Sequence, residues 1–295
     1  MLRLNQIFRN STLLVFFAIL FSSCSAGAAP DILTTTTILA DITRNVVGDR
    51  FTVQALVPAG SDPHSYQSVP QDVTKINKSK VLVIHGADYE KFLQPLLENA
   101  GAKEHVIDVS TGVRLLSNED STDPHLWLDP NNVIAYTENI REGLKQFDPN
   151  GAEIYDANAS AYIDKLTELD AWINGQVAQI EPQRRVLVTN HESFGYFAER
   201  YGFRVVGAVI PSFSTDASPS AQQMADLIEQ IQLHQAPAIF LDASDNPDLA
   251  NQIAAETGVK VVTDLHLESL TNGAPAGTYI DMMRDNVTKI VQALQ

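Results

Sequence analysis

The chain of 295 residues holds a single cysteine, Cys24, so it has no internal disulfide and cannot build a cysteine-rich zinc module. Basic residues are scarce. There are 20 Lys and Arg against 36 Asp and Glu, for a formal net charge of −16. That balance argues against nucleic acid or an anionic membrane surface as a partner, since both demand clustered cations. It is better suited to cations. Long apolar runs are also missing: Leu13–Phe21 is unbroken for nine residues, whereas a membrane span needs about 20. No glycine-rich phosphate loop or His-Glu-x-x-His helix is found, which removes two common routes to enzymatic function. What is present is an ordinary globular balance, 44% hydrophobic and 19% charged, in a chain long enough for two domains, each burying its own core.

The first 23 residues carry Arg3 and Arg9, no acid, and the short apolar run. A basic start, a brief apolar stretch and small residues after it describe a signal peptide over residues 1–23. Ser22-Ser23-Cys24 resembles a bacterial lipobox, in which the cysteine becomes the lipidated first residue of the mature chain. Ala26-Gly27-Ala28 offers a competing cleavage site that would release a soluble protein. Either route exports the chain, to a lipid anchor at Cys24 in the cell envelope or free in the periplasm. Cleavage before Cys24 removes two positive charges and leaves a net charge of −18.

Residues 24–147 are read as an N-terminal α/β lobe. Strands are expected at Ile32–Ile38, Phe51–Val57 and Val81–Ile84, with helices at Ala40–Val47 and Gln71–Lys78 between them. Alternation of this kind implies a parallel sheet with helices on both faces. Residues 148–181 then carry apolar positions at helical intervals without an interior proline, including Leu166, Leu169, Ile173 and Val177. A helix of roughly 30 residues is about 45 Å long, which suits a strut between two lobes. Beyond Pro182 the alternation restarts, so residues 182–295 are read as a C-terminal α/β lobe ending in a helix over Tyr279–Leu294.

Of seven histidines, two share one local pattern. Asp62-Pro63-His64 and Asp123-Pro124-His125 both fall in expected loops of the first lobe. Proline fixes the approach of the chain and holds the preceding residue extended, which presents the histidine rigidly, as a metal ligand requires. Asp62 and Asp123 are placed to support those imidazoles. A turn simply used twice is the bland alternative. His191 follows a strand directly, where ligands of open α/β sheets bind. Glu268, in His266-Leu267-Glu268-Ser269-Leu270, supplies a carboxylate after another strand, with His266 as its competitor. Three imidazoles and one carboxylate, two from each lobe, close a four-ligand site. His85 suits packing or support of that site, while His105 and His234 suit structural positions. An exported zinc hydrolase using Glu192 or Glu268 as base, and an adhesin with a structural metal, are the rival readings.

The ordered motifs Gly60–Tyr66, Asp123–Pro130, Asn190–Phe197, Ser214–Ser220 and Tyr279–Met283 resemble the metal-binding solute receptors of bacterial ABC importers, those that carry zinc or manganese. The resemblance implies two α/β lobes joined by a rigid backbone helix, with one divalent metal ion in the cleft and delivery to a membrane permease. It implies no catalysis and a monomer. His64, His125 and His191 match the family's ligand positions, and Glu268 stands where the family usually has Asp. The histidine-rich loop frequent in zinc-specific relatives is absent, since Asn118–Thr122 is short. Three nitrogens with one carboxylate favour Zn(II), with Mn(II) as the alternative.

Overall fold

A computed structural model describes residues 30–100, 105–118 and 121–295. Cys24 and the expected signal peptide lie outside the described residues. No helix among those described is long and apolar enough to cross a membrane.

The N-terminal lobe is built on a four-stranded sheet, β1 (Ile32–Thr34), β2 (Val53–Ala55), β3 (Val81–Ile84) and β4 (Val106–Asp108), in the order β2-β1-β3-β4. Every pairing is parallel. The helices are α1 (Thr37–Val47), α2 (Pro70–Lys78), α3 (Leu93–Ala100) and α4 (Pro130–Phe147). The first strand stops earlier than the expected Ile38. Thr36 caps α1, accepting the Leu39 amide on its hydroxyl at 3.2 Å, so its β-branched neighbours enter a helix instead. The sequence reading assigned no element between Ile84 and Asp148, yet α4 runs for 18 residues there. Its start is well marked: Asp129 caps it through the Asn131 amide, and Pro130 takes the first helical position.

The linking helix, α5 (Ala152–Val177), has 26 residues, about 39 Å. It is shorter than the roughly 30 residues expected, because Pro149–Gly151 forms a separate short 3₁₀ turn before it. Its buried face is Tyr155, Ala159, Tyr162, Leu166, Leu169, Ile173 and Val177, at spacings of three and four. That face packs on α1 and α4, and on the last helix, α9 (Tyr279–Leu294).

The C-terminal lobe repeats the plan with β5 (Val186–His191), β6 (Arg204–Ile210), β7 (Ala238–Asp242) and β8 (Lys260–Leu265), parallel in the order β6-β5-β7-β8. Helices α6 (Gly195–Tyr201), α7 (Ala221–His234) and α8 (Asp248–Thr257) complete it. The lobes do not have separate main cores, as chain length alone suggested. One continuous apolar cluster runs from Ile32 and Val83 through Tyr136, Leu166 and Phe197 to Met283 and Leu294. Each outer face keeps only a smaller cluster of its own. The cause is α9, which returns to the first lobe: the Tyr279 amide donates to Asp41 at 2.9 Å and its hydroxyl to the Trp127 carbonyl at 2.7 Å. Two helices thus tie the lobes together, which restricts their relative movement.

Candidate metal centre

The four side chains singled out in the sequence meet between the lobes. His64 comes from the loop between β2 and α2, and His125 from the loop before α4. His191 is the last residue of β5 rather than the first of the loop after it, and Glu268 lies three residues beyond β8. One ligand-capable atom from each lies within 4.8 Å of all the others. Nε2 of His125 is 3.2 Å from Nε2 of both His64 and His191. Oε1 of Glu268 lies 3.4 Å from the His125 nitrogen and 3.3 Å from that of His191. Among the described residues this is the one cluster of three or more His, Cys, Asp or Glu side chains with such convergence.

Neighbouring groups fix these side chains. Asp123 accepts the His125 ring at Nδ1 (2.8 Å) and its backbone amide (3.0 Å), which turns Nε2 toward the centre. Asp62 behaves differently from expectation. It accepts the His64 amide at 2.8 Å rather than the ring, and so shapes the loop. Glu268 is held from both sides. The Tyr89 hydroxyl donates to Oε2 at 2.8 Å, while Asp242 accepts the Leu267 and Glu268 amides at 2.5 and 3.3 Å. The Trp127 indole donates to the Leu267 carbonyl at 2.8 Å. Oε1 of Glu268 is buried without a hydrogen-bond partner and faces the imidazoles. A buried carboxylate oxygen aimed at the His125 and His191 nitrogens, with the His64 nitrogen 3.9 Å from Oε2 of the same carboxylate, is the arrangement a cation completes.

Burial raises the cost of the charged carboxylate, but His125, His191 and His64 outweigh it and hold Glu268 below the ordinary range. Burial is also the main influence on His64, lowering it to about 4 and keeping the ring neutral. At His191 burial is overcome by the adjacent Glu268 carboxylate, and its value is raised. Burial beside Glu268 pushes Tyr89 well above its usual range, so its hydroxyl stays a donor.

Other histidines stand apart. His85 is wholly buried, bonded through Nε2 to the Thr36 hydroxyl at 2.8 Å and packed 4.6 Å from the Trp127 ring. It supports the wall of the site without joining the cluster. His266 is half-buried, with its backbone amide and carbonyl both tied to Asn286, and is likewise outside the cluster. Glu192 lines a neighbouring groove with Phe194 and Val205. Sequence reasoning passed over Tyr89 and Asp242. Asp242 closes β7 and Tyr89 follows β3 in a turn, both at carboxyl ends of strands, where ligands of open α/β sheets bind.

Comparison with known proteins places the chain in a family. The family model described as "Zinc-uptake complex component A periplasmic" matches residues 32–293. The manganese-binding lipoprotein MntA of Halalkalibacterium halodurans is 34% identical over 296 residues, covering 96% of this chain and 97% of its own. The Mn-bound periplasmic metal binding protein of Candidatus Liberibacter asiaticus superposes with a TM-score of 0.79 at 31% identity, over 90% of this chain and 99% of its own. The periplasmic zinc binding protein TroA from Treponema pallidum does so with a TM-score of 0.83 at 28% identity, over the same shares. With two parallel α/β lobes, a linking helix and a convergent three-histidine, one-glutamate cluster, the chain belongs to the zinc-uptake component A family, the metal-binding solute receptors of ABC importers.

Proposed function

We propose that this receptor captures Zn(II) outside the cytoplasm and delivers it to the permease of an ABC importer, holding the ion through His64, His125, His191 and Glu268. The observation that carries the reading is the donor set and its state. Three imidazole nitrogens and the free Oε1 of Glu268 converge, while Oε2 is engaged by Tyr89. That favours one carboxylate oxygen in the shell, hence a four-coordinate tetrahedral site, the geometry of zinc. Four protein donors leave no open position for the water that catalytic zinc activates, which favours a receptor over a hydrolase. We extend the reading to the leader: Cys24 carries the lipid anchor, and the receptor acts as a monomer in the cell envelope.

Manganese is the second reading. It is favoured by similarity to MntA, named manganese-binding, and to a relative whose structure is Mn-bound. Manganese calls for more oxygen donors, which Oε2 would supply by joining Oε1. Competition of Zn(II) against Mn(II) on metal-stripped protein tests the choice. Retention of zinc at equal concentrations supports the first reading, and preferential retention of manganese supports the second.

A further inference from the structure

Three groups that brace the site reach across the cleft from the opposite lobe. Tyr89 of the first lobe holds Glu268 of the second at 2.8 Å, and Tyr196 of the second donates to the Asp123 carbonyl at 3.0 Å. Both bonds are buried. The third is not. The Thr215 hydroxyl of the second lobe donates to Oδ2 of Asp62 at 2.6 Å in a half-buried position. Asp62 in turn holds the His64 amide through Oδ1 and the Ser65 hydroxyl through Oδ2. The other end of the same loop is tied across the cleft too, the Gly60 amide donating to the Ser269 hydroxyl at 2.9 Å.

His64 is also the proposed ligand nearest to solvent. His125, His191 and Glu268 are buried, whereas His64 lines a cavity of about 380 Å³ beside Asp88, Thr122 and Ser212–Ser214. Of the four proposed ligands, only His64 borders this cavity. Gly60, at φ +76°, has open space around its α-carbon on the side where a side chain would project, so the loop has a pivot that its neighbours do not obstruct. The large shared core and the two tying helices oppose a wide opening of the lobes. A local movement needs far less disruption.

We infer that the segment from Gly60 to His64 is the gate through which the ion enters and leaves, and that the Thr215–Asp62 hydrogen bond is its latch. Thr215 is thus a positioning residue: it touches no metal and acts by holding the His64 loop shut from the opposite lobe. Binding and closure are then coupled, because the ion draws His64 inward while Thr215 secures the loop behind it. The inference rests on the ligand set proposed above.

The test is the rate at which Zn(II) leaves the loaded protein into an excess of chelator, followed by stopped flow for wild type, Thr215→Val, Thr215→Ala and Thr215→Ser. Loss of a hydrogen bond to a carboxylate should speed release by on the order of tenfold or more in the valine and alanine variants. Serine keeps the hydroxyl and should release zinc close to the wild-type rate. Release from both valine and alanine variants at the wild-type rate, or release from the serine variant as fast as from valine, overturns the latch. His64→Ala separates this from the ligand assignment. If that variant binds zinc as tightly as wild type, the ligand set fails, whereas a weak His64→Ala variant beside an unaltered Thr215→Val variant refutes the latch alone.

Discussion

Tyr89 on one lobe donates its hydroxyl to Oε2 of Glu268 on the other, 2.8 Å away, and leaves Oε1 as the carboxylate oxygen that faces the His125 and His191 nitrogens. The bond does two things. It fixes the rotamer of a side chain one methylene longer than the aspartate usual in this family, and it biases the carboxylate toward giving a single donor. Much of the chemistry of the site follows from that orientation.

Tyr89→Phe removes the donor while keeping the ring against His85 and Trp127. Zinc affinity should fall by roughly tenfold, the value of a hydrogen bond to a charged acceptor. Manganese affinity should fall less or rise, because the released Oε2 becomes a second donor. Calorimetric titration with each metal measures the change. An unaltered ratio of the two affinities contradicts the role given to Tyr89.

Asp123 fixes the His125 ring through Nδ1. Loss of such a supporting carboxylate typically lowers metal affinity by about 10–100-fold, so Asp123→Asn should fall in that range and His125→Ala well below it. Equal affinities for the two variants would place the whole effect in the loop rather than in the imidazole. Metal-chelator competition resolves the difference.

Gly195 opens α6 where Asp123 presses on it. An added Cβ would collide with the Asp123 carboxylate oxygen. Gly195→Ala should therefore destabilise the fold by about 1–3 kcal/mol, as overpacking does, and should weaken zinc binding by displacing Asp123. Thermal unfolding with and without metal reads both effects. A variant with wild-type stability and affinity shows that Asp123 has room to withdraw.

Metal binding requires neutral imidazoles, so protons compete with the ion. His191 lies above its ordinary 6.5, since the adjacent Glu268 carboxylate outweighs burial. His64, lowered to about 4 chiefly by burial, stays neutral until far more acidic conditions. Lowering the pH charges His191 before His64. Affinity should decline as pH drops through and below neutrality, by up to about tenfold per pH unit for each imidazole that must lose a proton. Titrations from pH 8 to 5 check the slope, and a flat profile contradicts the three-imidazole shell.

The lobe plan and all four proposed ligands could be read from the sequence because each carried a local signal. Two Asp-Pro-His turns announced His64 and His125, a strand end announced His191, and a carboxylate past another strand announced Glu268. What escaped notice depended on packing between distant segments. Asp242 and Tyr89 matter because β7 and β3 bring them to Glu268 from 26 and 179 residues away. The shared core was equally hidden, since only the return of α9 to Asp41 and Trp127 joins the lobes. Helix α4, by contrast, had a legible start in Asp129-Pro130, whose capping chemistry could have been used.

X-ray absorption on zinc-loaded protein reads the metal's donor atoms themselves. One zinc ion should be bound by three imidazole nitrogens and one carboxylate oxygen, four-coordinate, with bonds of about 2.0–2.2 Å. A shell with fewer than three imidazoles, or with a bound water in place of Glu268, would contradict the proposed ligand set.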